Sequence, residues 1–183
     1  MLVTFSINMG IFISTGSILG PLYAPYGYEG SIIAIFGAVV SPAGVIGCLV
    51  TGIVLDRTKR FKRTLFLICV GTLIVYAWQC YAVPSGKWIV VILTNSLLGF
   101  ITVPIIPAGF SYSVELTHPA PPPLVNGLMM MFANIFGLIM SSVCVILCGI
   151  NPLYALALLA ICSIIPVICS LLITETLKRS RPS

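Results

Sequence analysis

Residues 88–114 read WIVVILTNSLLGFITVPIIPAGFSYSV, a run with no charged side chain. At 1.5 Å of rise per residue, a helix of this length exceeds the bilayer's hydrocarbon core of about 30 Å. The run is continuous rather than alternating, which favours a helix over a barrel strand of about 9 to 11 residues. Outward from it lie five more uncharged runs, at 2–21, 31–55, 64–83, 124–150 and 153–174. The nine Lys and Arg and the four Asp and Glu all fall outside the six runs. Desolvation demands this, since an ion at the bilayer centre costs at least about 2.5 to 3.5 kcal/mol. A chain of 183 residues that is 59% hydrophobic and 7% charged, with a mean hydropathy of +1.16, has too little polar surface to coat a water-soluble globule. The sequence therefore predicts an all-α polytopic membrane protein: a six-helix bundle over residues 1–174 and a cytoplasmic tail over 175–183. The first run has no Lys or Arg before it and is long for a signal peptide's apolar region, so it reads as a span.

The charges orient the bundle. Residues 52–63, GIVLDRTKRFKR, hold Arg57, Lys59, Arg60, Lys62 and Arg63, five of the nine cations. Short loops rich in Lys and Arg stay in the cytoplasm, which places the loop between the second and third runs inside. The tail cations Lys178, Arg179 and Arg181 then also lie inside, and only Lys87 is outside. Both termini are expected in the cytoplasm, with the plasma membrane as the expected location and an organelle membrane as the alternative. Tyr23, Tyr26, Tyr28, Tyr154 and Trp88 fall near the outer boundary, where they read as headgroup-level anchors in contact with lipid. The loop cations also suit anionic headgroups, at about 1 kcal/mol each. The expected partners are the lipid bilayer and a small organic solute, not nucleic acid.

Catalytic chemistry has little to stand on here. The seven cysteines all lie in the apolar runs without a CxxC pair, and His118 has no second histidine or nearby cysteine, so no zinc site or disulfide framework is suggested. No constellation of His, Cys or acid occurs inside the runs, and no phosphate-cradling glycine motif is present. We therefore expect no enzyme, no catalytic residue, no metal and no cofactor.

Hydrophobicity cannot drive helices together in a solvent as apolar as leucine, so small and polar residues carry the packing information. Gly37, Ser41, Gly44, Cys48 and Gly52 form one stripe on the second run. Gly127, Met130, Asn134, Gly137, Ser141, Cys144 and Cys148 form another on the fifth. Asn134 is expected to be buried in protein or to line a cavity, either as an interhelical hydrogen bond or as a solute contact. Pro42, Pro104, Pro107 and Pro166 each remove a backbone hydrogen bond, so bends are expected there, facing protein or a cavity.

Two groups of residues carry a resemblance. Gly52, Asp56, Arg57, Lys59 and Arg60 resemble the G-x-x-x-D-R/K-x-G-R/K-R/K loop of the major facilitator superfamily, with Lys59 where the pattern has glycine. That resemblance implies a cytoplasmic gate built on these residues and Glu115. More narrowly, residues 98–137 look like helices ten and eleven of the feline leukaemia virus subgroup C receptor-related transporters. The match runs through Leu98, Gly99, Phe100, Pro107, Gly109, Phe110, Val114, Glu115, Thr117, Pro119, Gly127, Leu128, Phe136 and Gly137. It implies the C-terminal six-helix half of such a carrier, with choline, ethanolamine or haem-related solutes. Asn134 stands where those transporters often have glutamine at their central site, and Ile13 where choline-type members have an aromatic. Phe12, next to Ile13, is expected to point 100° away round the helix. For a solute carrier, Asn134, Phe12, Ser14, Asn95 and Pro107 are the residues expected to line the cavity and bind the solute.

The expected function is transmembrane transport of a small organic solute by alternating access. The runs contain no carboxylate or histidine to couple it to protons, which favours a facilitative mechanism. One bundle is half of a facilitator, so a second six-helix half or a homodimer is the implied partner. The alternative is a truncated or non-transporting membrane interaction subunit.

Overall fold

The computed structural model describes residues 1–58, 60–117 and 120–172, and every regular element among them is helical. Six helices long and apolar enough to cross a membrane follow one another: Leu2–Tyr26, Gly30–Thr58, Phe61–Ser85, Trp88–Thr117, Pro122–Ile150 and Pro152–Leu172. We refer to them as the first to sixth spans. The tail residues 175–183, with Lys178, Arg179 and Arg181, lie outside the described residues, as do Lys59 and His118.

Proline divides three of the spans. The second consists of α2 (Gly30–Ala38) and α3 (Val40–Thr58), the fourth of α5 (Trp88–Thr102) and α6 (Ile105–Thr117), and the sixth of α8 (Pro152–Cys162) and α9 (Ile164–Leu172). The interruptions at Val39, Val103 and Ser163 fall three or four residues before Pro42, Pro107 and Pro166. That is where a proline ring meets the carbonyl of the preceding turn and where its missing N–H leaves that turn unbonded. The first, third and fifth spans are the helices α1 (Leu2–Tyr23), α4 (Phe61–Ala82) and α7 (Pro122–Ile150), the first two continued by short 3-10 turns.

The connections are tight. Gly27 (φ 79°) and Gly86 (φ 68°) end the two 3-10 turns in the left-handed region, which a side chain would disfavour. Between α7 and α8 the single residue Asn151 makes the turn, its side chain accepting from Leu153 N–H at 2.9 Å with Pro152 at the first helical position.

The first span is the most enclosed and the second the most peripheral. The closest pairing is α1 with α7, and α3 lies along α5. A Cβ added at Gly10 would sit 2.5 Å from Phe136 Cδ1 and 3.0 Å from Gly137 N. The Ser14 hydroxyl donates across the same seam to Gly137 O at 3.0 Å, and shares its proton with Gly10 O at 2.8 Å. Two buried clusters result. One surrounds Tyr23, Tyr76, Leu98 and Leu156, the other Phe5, Leu65, Ile105, Tyr112 and Met129.

Close approach occurs in different rows from those expected. On the fifth span the buried face is Met129, Ala133, Gly137, Met140, Cys144 and Cys148. It shares Gly137, Cys144 and Cys148 with the expected stripe but runs through Ala133 instead of Asn134. Both neighbours are small enough for a seam, and α1 selects the one without a polar group. On the second span a Cβ at Gly44 would lie 2.7 Å from Val103 Cγ2, and one at Gly47 would run into the Phe100 carbonyl oxygen. Gly52 has open space beside it. The seam there is Gly44 and Gly47, not the lower part of the stripe.

Candidate functional site

Two adjoining cavities open between the first, second and fourth spans. The smaller, about 240 Å³, is walled by Phe12, Ile13, Thr15, Leu19, Asn95 and Leu98 among others; the larger, about 480 Å³, by Val45, Cys48, Val103 and Pro107. Phe12, Val40 and Ser41 belong to both. Small-molecule sites run to about 300 to 1,000 Å³ with mostly apolar walls and a few placed polar groups, and the pair is of that kind. No charged residue lines either. The proline interruptions border this space, since Val40 follows the break in the second span and Val103 is the break in the fourth.

Phe12, Asn95 and Pro107 therefore share one connected wall. Phe12 lines the same cavity as Ile13, which corrects the expectation that it points elsewhere: one turn of helix exposes about 100° of arc per residue, and the space is wide enough to meet both. Ser14 is fully buried, and its hydroxyl is committed to the α1–α7 seam, so it is a packing residue. Asn134 is exposed on the outer surface of this chain, its amide donating back to Met130 O at 2.8 Å. The expected burial of Asn134 does not occur within these six spans.

Behind the smaller cavity lies a polar cluster. Tyr23, expected at the lipid boundary, is fully buried; its hydroxyl accepts from Asn95 Nδ2 at 2.8 Å and from Gln79 Nε2 at 3.3 Å. Its ring stands edge-on to Phe36 and Tyr28, with centroids at 5.0 and 6.0 Å. Tyr28, in the loop, has its phenol pKa raised by burial. Trp88 and Tyr154 are exposed, each at 56%, as headgroup anchors require. A second pair joins Tyr76 to the cavity-lining Thr15 at 2.7 Å, Thr15 in turn donating to Ile11 O at 3.0 Å. Gln79 and Tyr76 carried a signal that went unused: they are polar groups in an otherwise apolar run, and such groups seek partners inside the bundle.

At the other end, Asp56, Arg57 and Arg60 are exposed and Gly52 is half-buried. Arg57 lies in the last turn of α3, where a cation complements the helix dipole. Glu115 is half-buried beside Phe61, Phe110 and Asn126, and its Oε2 is sealed from water without a hydrogen-bond partner among the described residues. The charge network implied for the gate is thus not closed at that oxygen. Among the described residues no group of three His, Cys, Asp or Glu is placed to hold a metal.

Six long apolar spans, three of which wall these cavities, define an integral, multi-pass membrane protein. Its homologues are transporters. Over 183 residues, 99% of this chain, it is 26% identical to an uncharacterised MFS-type transporter of Caenorhabditis elegans, covering 31% of that protein. It is 29% identical over 141 residues to the human choline/ethanolamine transporter FLVCR2 (76% of this chain, 27% of that one). To the cat choline/ethanolamine transporter FLVCR1 it is 30% identical over 141 residues (76% and 25%). The chain is thus related to major-facilitator transporters of the FLVCR kind, and it spans less than a third of the length of these relatives. No family model matches it. Homology to transporters points away from enzymatic function.

Proposed function

We propose that this chain forms one six-helix half, the C-terminal one, of the pathway by which a small organic solute crosses a membrane by alternating access. The observation that carries the proposal is the connected cavity around Phe12, walled on three spans and open on the side of the first span where Gly16 and Ser17 are exposed. A Cβ at Gly16 or Gly20 would meet nothing within 4 Å, so a second half or a second copy has a smooth surface to approach. Asn134 is likewise exposed, and a covering half gives it the protein environment that an amide requires in lipid.

The solute class comes from the relatives, which carry choline or ethanolamine. Phe12 supplies an aromatic face for a quaternary ammonium, an attraction of about 0.5 to 2 kcal/mol, while Asn134 offers a shorter amide where those transporters often have glutamine. The uncharged walls favour facilitated movement down a gradient over proton coupling. Gly52, Asp56, Arg57, Lys59 and Arg60, with Glu115, form the cytoplasmic gate, and both termini lie on that side, in the plasma membrane.

Uptake of radiolabelled choline and ethanolamine into vesicles tests the proposal, using the 183-residue chain alone and together with the N-terminal six-helix half of a choline/ethanolamine transporter relative. Saturable uptake that Phe12→Ala weakens at least several-fold is expected. A chain that supports no saturable uptake in either form is a non-transporting interaction subunit, and the proposal fails.

A further inference from the structure

The third span begins at Phe61 and the sixth ends at Leu172, and the two pack against each other there. Between them lies a cavity of about 360 Å³, lined by Lys62, Arg63, Phe66, Ser170 and Leu171. It shares no residue with the cavities around Phe12. Lys62 is half-buried and Arg63 exposed, whereas the exposed Arg57 and Arg60 do not border it. Among the described residues no acid lines it. The first turn of α4 contains no acid either, so the helix end adds to the positive potential instead of cancelling it.

Ser170 is fully buried and donates to Val167 O at 2.7 Å, which makes it wall and not contact. Phe66 is half-buried, while Leu171 and the neighbouring Leu67 and Leu172 are exposed and apolar. Two cations therefore stand beside an apolar surface at the ends of two spans, which is headgroup level. A soluble anion meets only the charged half of such a wall; a phospholipid carries a charged and an apolar part in the same order. We propose that this cavity seats an anionic phospholipid, its phosphate against Lys62 and Arg63 and the first carbons of an acyl chain along Phe66 and Leu171. The site lies outside the solute path and stands whether or not the chain transports.

Fluorescence quenching tests it on the full chain reconstituted in phosphatidylcholine vesicles. Phe66→Trp, in a background where Trp78 and Trp88 are replaced by phenylalanine, puts the single tryptophan at the cavity. Brominated phosphatidylserine is expected to bind there in preference to brominated phosphatidylcholine by about 5-fold for each cation, or about 30-fold for the pair. Lys62→Gln with Arg63→Gln is expected to abolish the preference. Arg57→Gln with Arg60→Gln removes the same charge outside the cavity and is expected to leave most of it. Equal losses in the two double variants overturn the site in favour of a diffuse surface attraction, and absence of any preference before the cations are removed overturns it too. So does relief of the quenching by excess glycerophosphoserine, which makes the occupant a soluble anion. Native mass spectrometry of the unsubstituted chain, released from nanodiscs of both lipids, checks the result without the tryptophan. One retained phosphatidylserine, lost in Lys62→Gln with Arg63→Gln, is expected; retention of none overturns the proposal.

Discussion

Gly47 and Gly52 are five residues apart on α3, and the packing assigns them opposite sensitivities. A Cβ at Gly47 would run into the Phe100 carbonyl oxygen, with the Phe100 carbonyl carbon at 2.9 Å and Pro104 Cγ at 3.0 Å. At Gly52 it would meet nothing within 4 Å. Alanine is favoured over glycine inside a helix by about 0.8 to 1 kcal/mol, so Gly52→Ala should be neutral or stabilising by up to about 1 kcal/mol. The same gain applies at Gly47, but there the obstacle is backbone, which cannot rotate aside as a side chain can. Forcing atoms into a packed seam costs about 1 to 3 kcal/mol. Net destabilisation of up to about 2 kcal/mol is therefore expected for Gly47→Ala, and more for Gly47→Val. Reversible unfolding in mixed micelles of rising SDS content, on both variants in parallel, reads the difference directly. Equal stability of Gly47→Ala and Gly52→Ala would refute the close approach of α3 to the fourth span, and with it the geometry of the cavity wall. The same pair separates packing from gating, because any transport defect in Gly52→Ala would then have to arise in the loop rather than in the fold.

Tyr23→Phe leaves the Gln79 amide and one Asn95 hydrogen without an acceptor; a loss of about 1 to 3 kcal/mol is expected. Tyr154→Phe, at an exposed ring, should fall within about 0.5 kcal/mol of wild type in the same unfolding assay. Ser14→Ala removes the cross-seam bond to Gly137 O and should cost about 0.6 kcal/mol, the average for such bonds in membranes, with solute binding unaffected. Glu115→Gln replaces a carboxylate whose Oε2 is sealed and has no partner among the described residues, so it should raise stability in the isolated chain. A fall would mean that a cation neutralises Glu115.

What the sequence disclosed follows from which physical term dominates at each site. Charge desolvation is large and local, so the absence of any charge from residues 88–114 was enough to place a span there. The proline breaks at Val39, Val103 and Ser163 were equally readable, because a ring clash depends only on neighbours in the chain. The helix faces were harder. Asn134 and Ala133 are both small enough for a seam, and only the position of α1 decides between them. Tyr23 was misplaced for a related reason: an aromatic at the end of an apolar run suits the lipid boundary, but Gln79 and Asn95, 56 and 72 residues away in the chain, draw its hydroxyl inward. Phe12 was identified while its direction was not, since the width of the cavity that admits both it and Ile13 is a property of three spans together.

The seam and the breaks together explain why a cavity exists in a medium that otherwise lets helices pack without voids. Gly44 and Gly47 draw α3 against Val103 and Phe100, and a Cβ at Gly99 would in turn meet the Val40 carbonyl. The second and fourth spans are therefore pinned together at one level. The interruption at Val39 and that at Val103 both border this level, so the segments on either side are released from a single straight axis. Beside this level the side chains of Phe12, Val40 and Ser41 line both cavities. Glycine thus fixes where the wall holds, proline marks where the spans are interrupted, and Phe12 on the facing span lines the space between them.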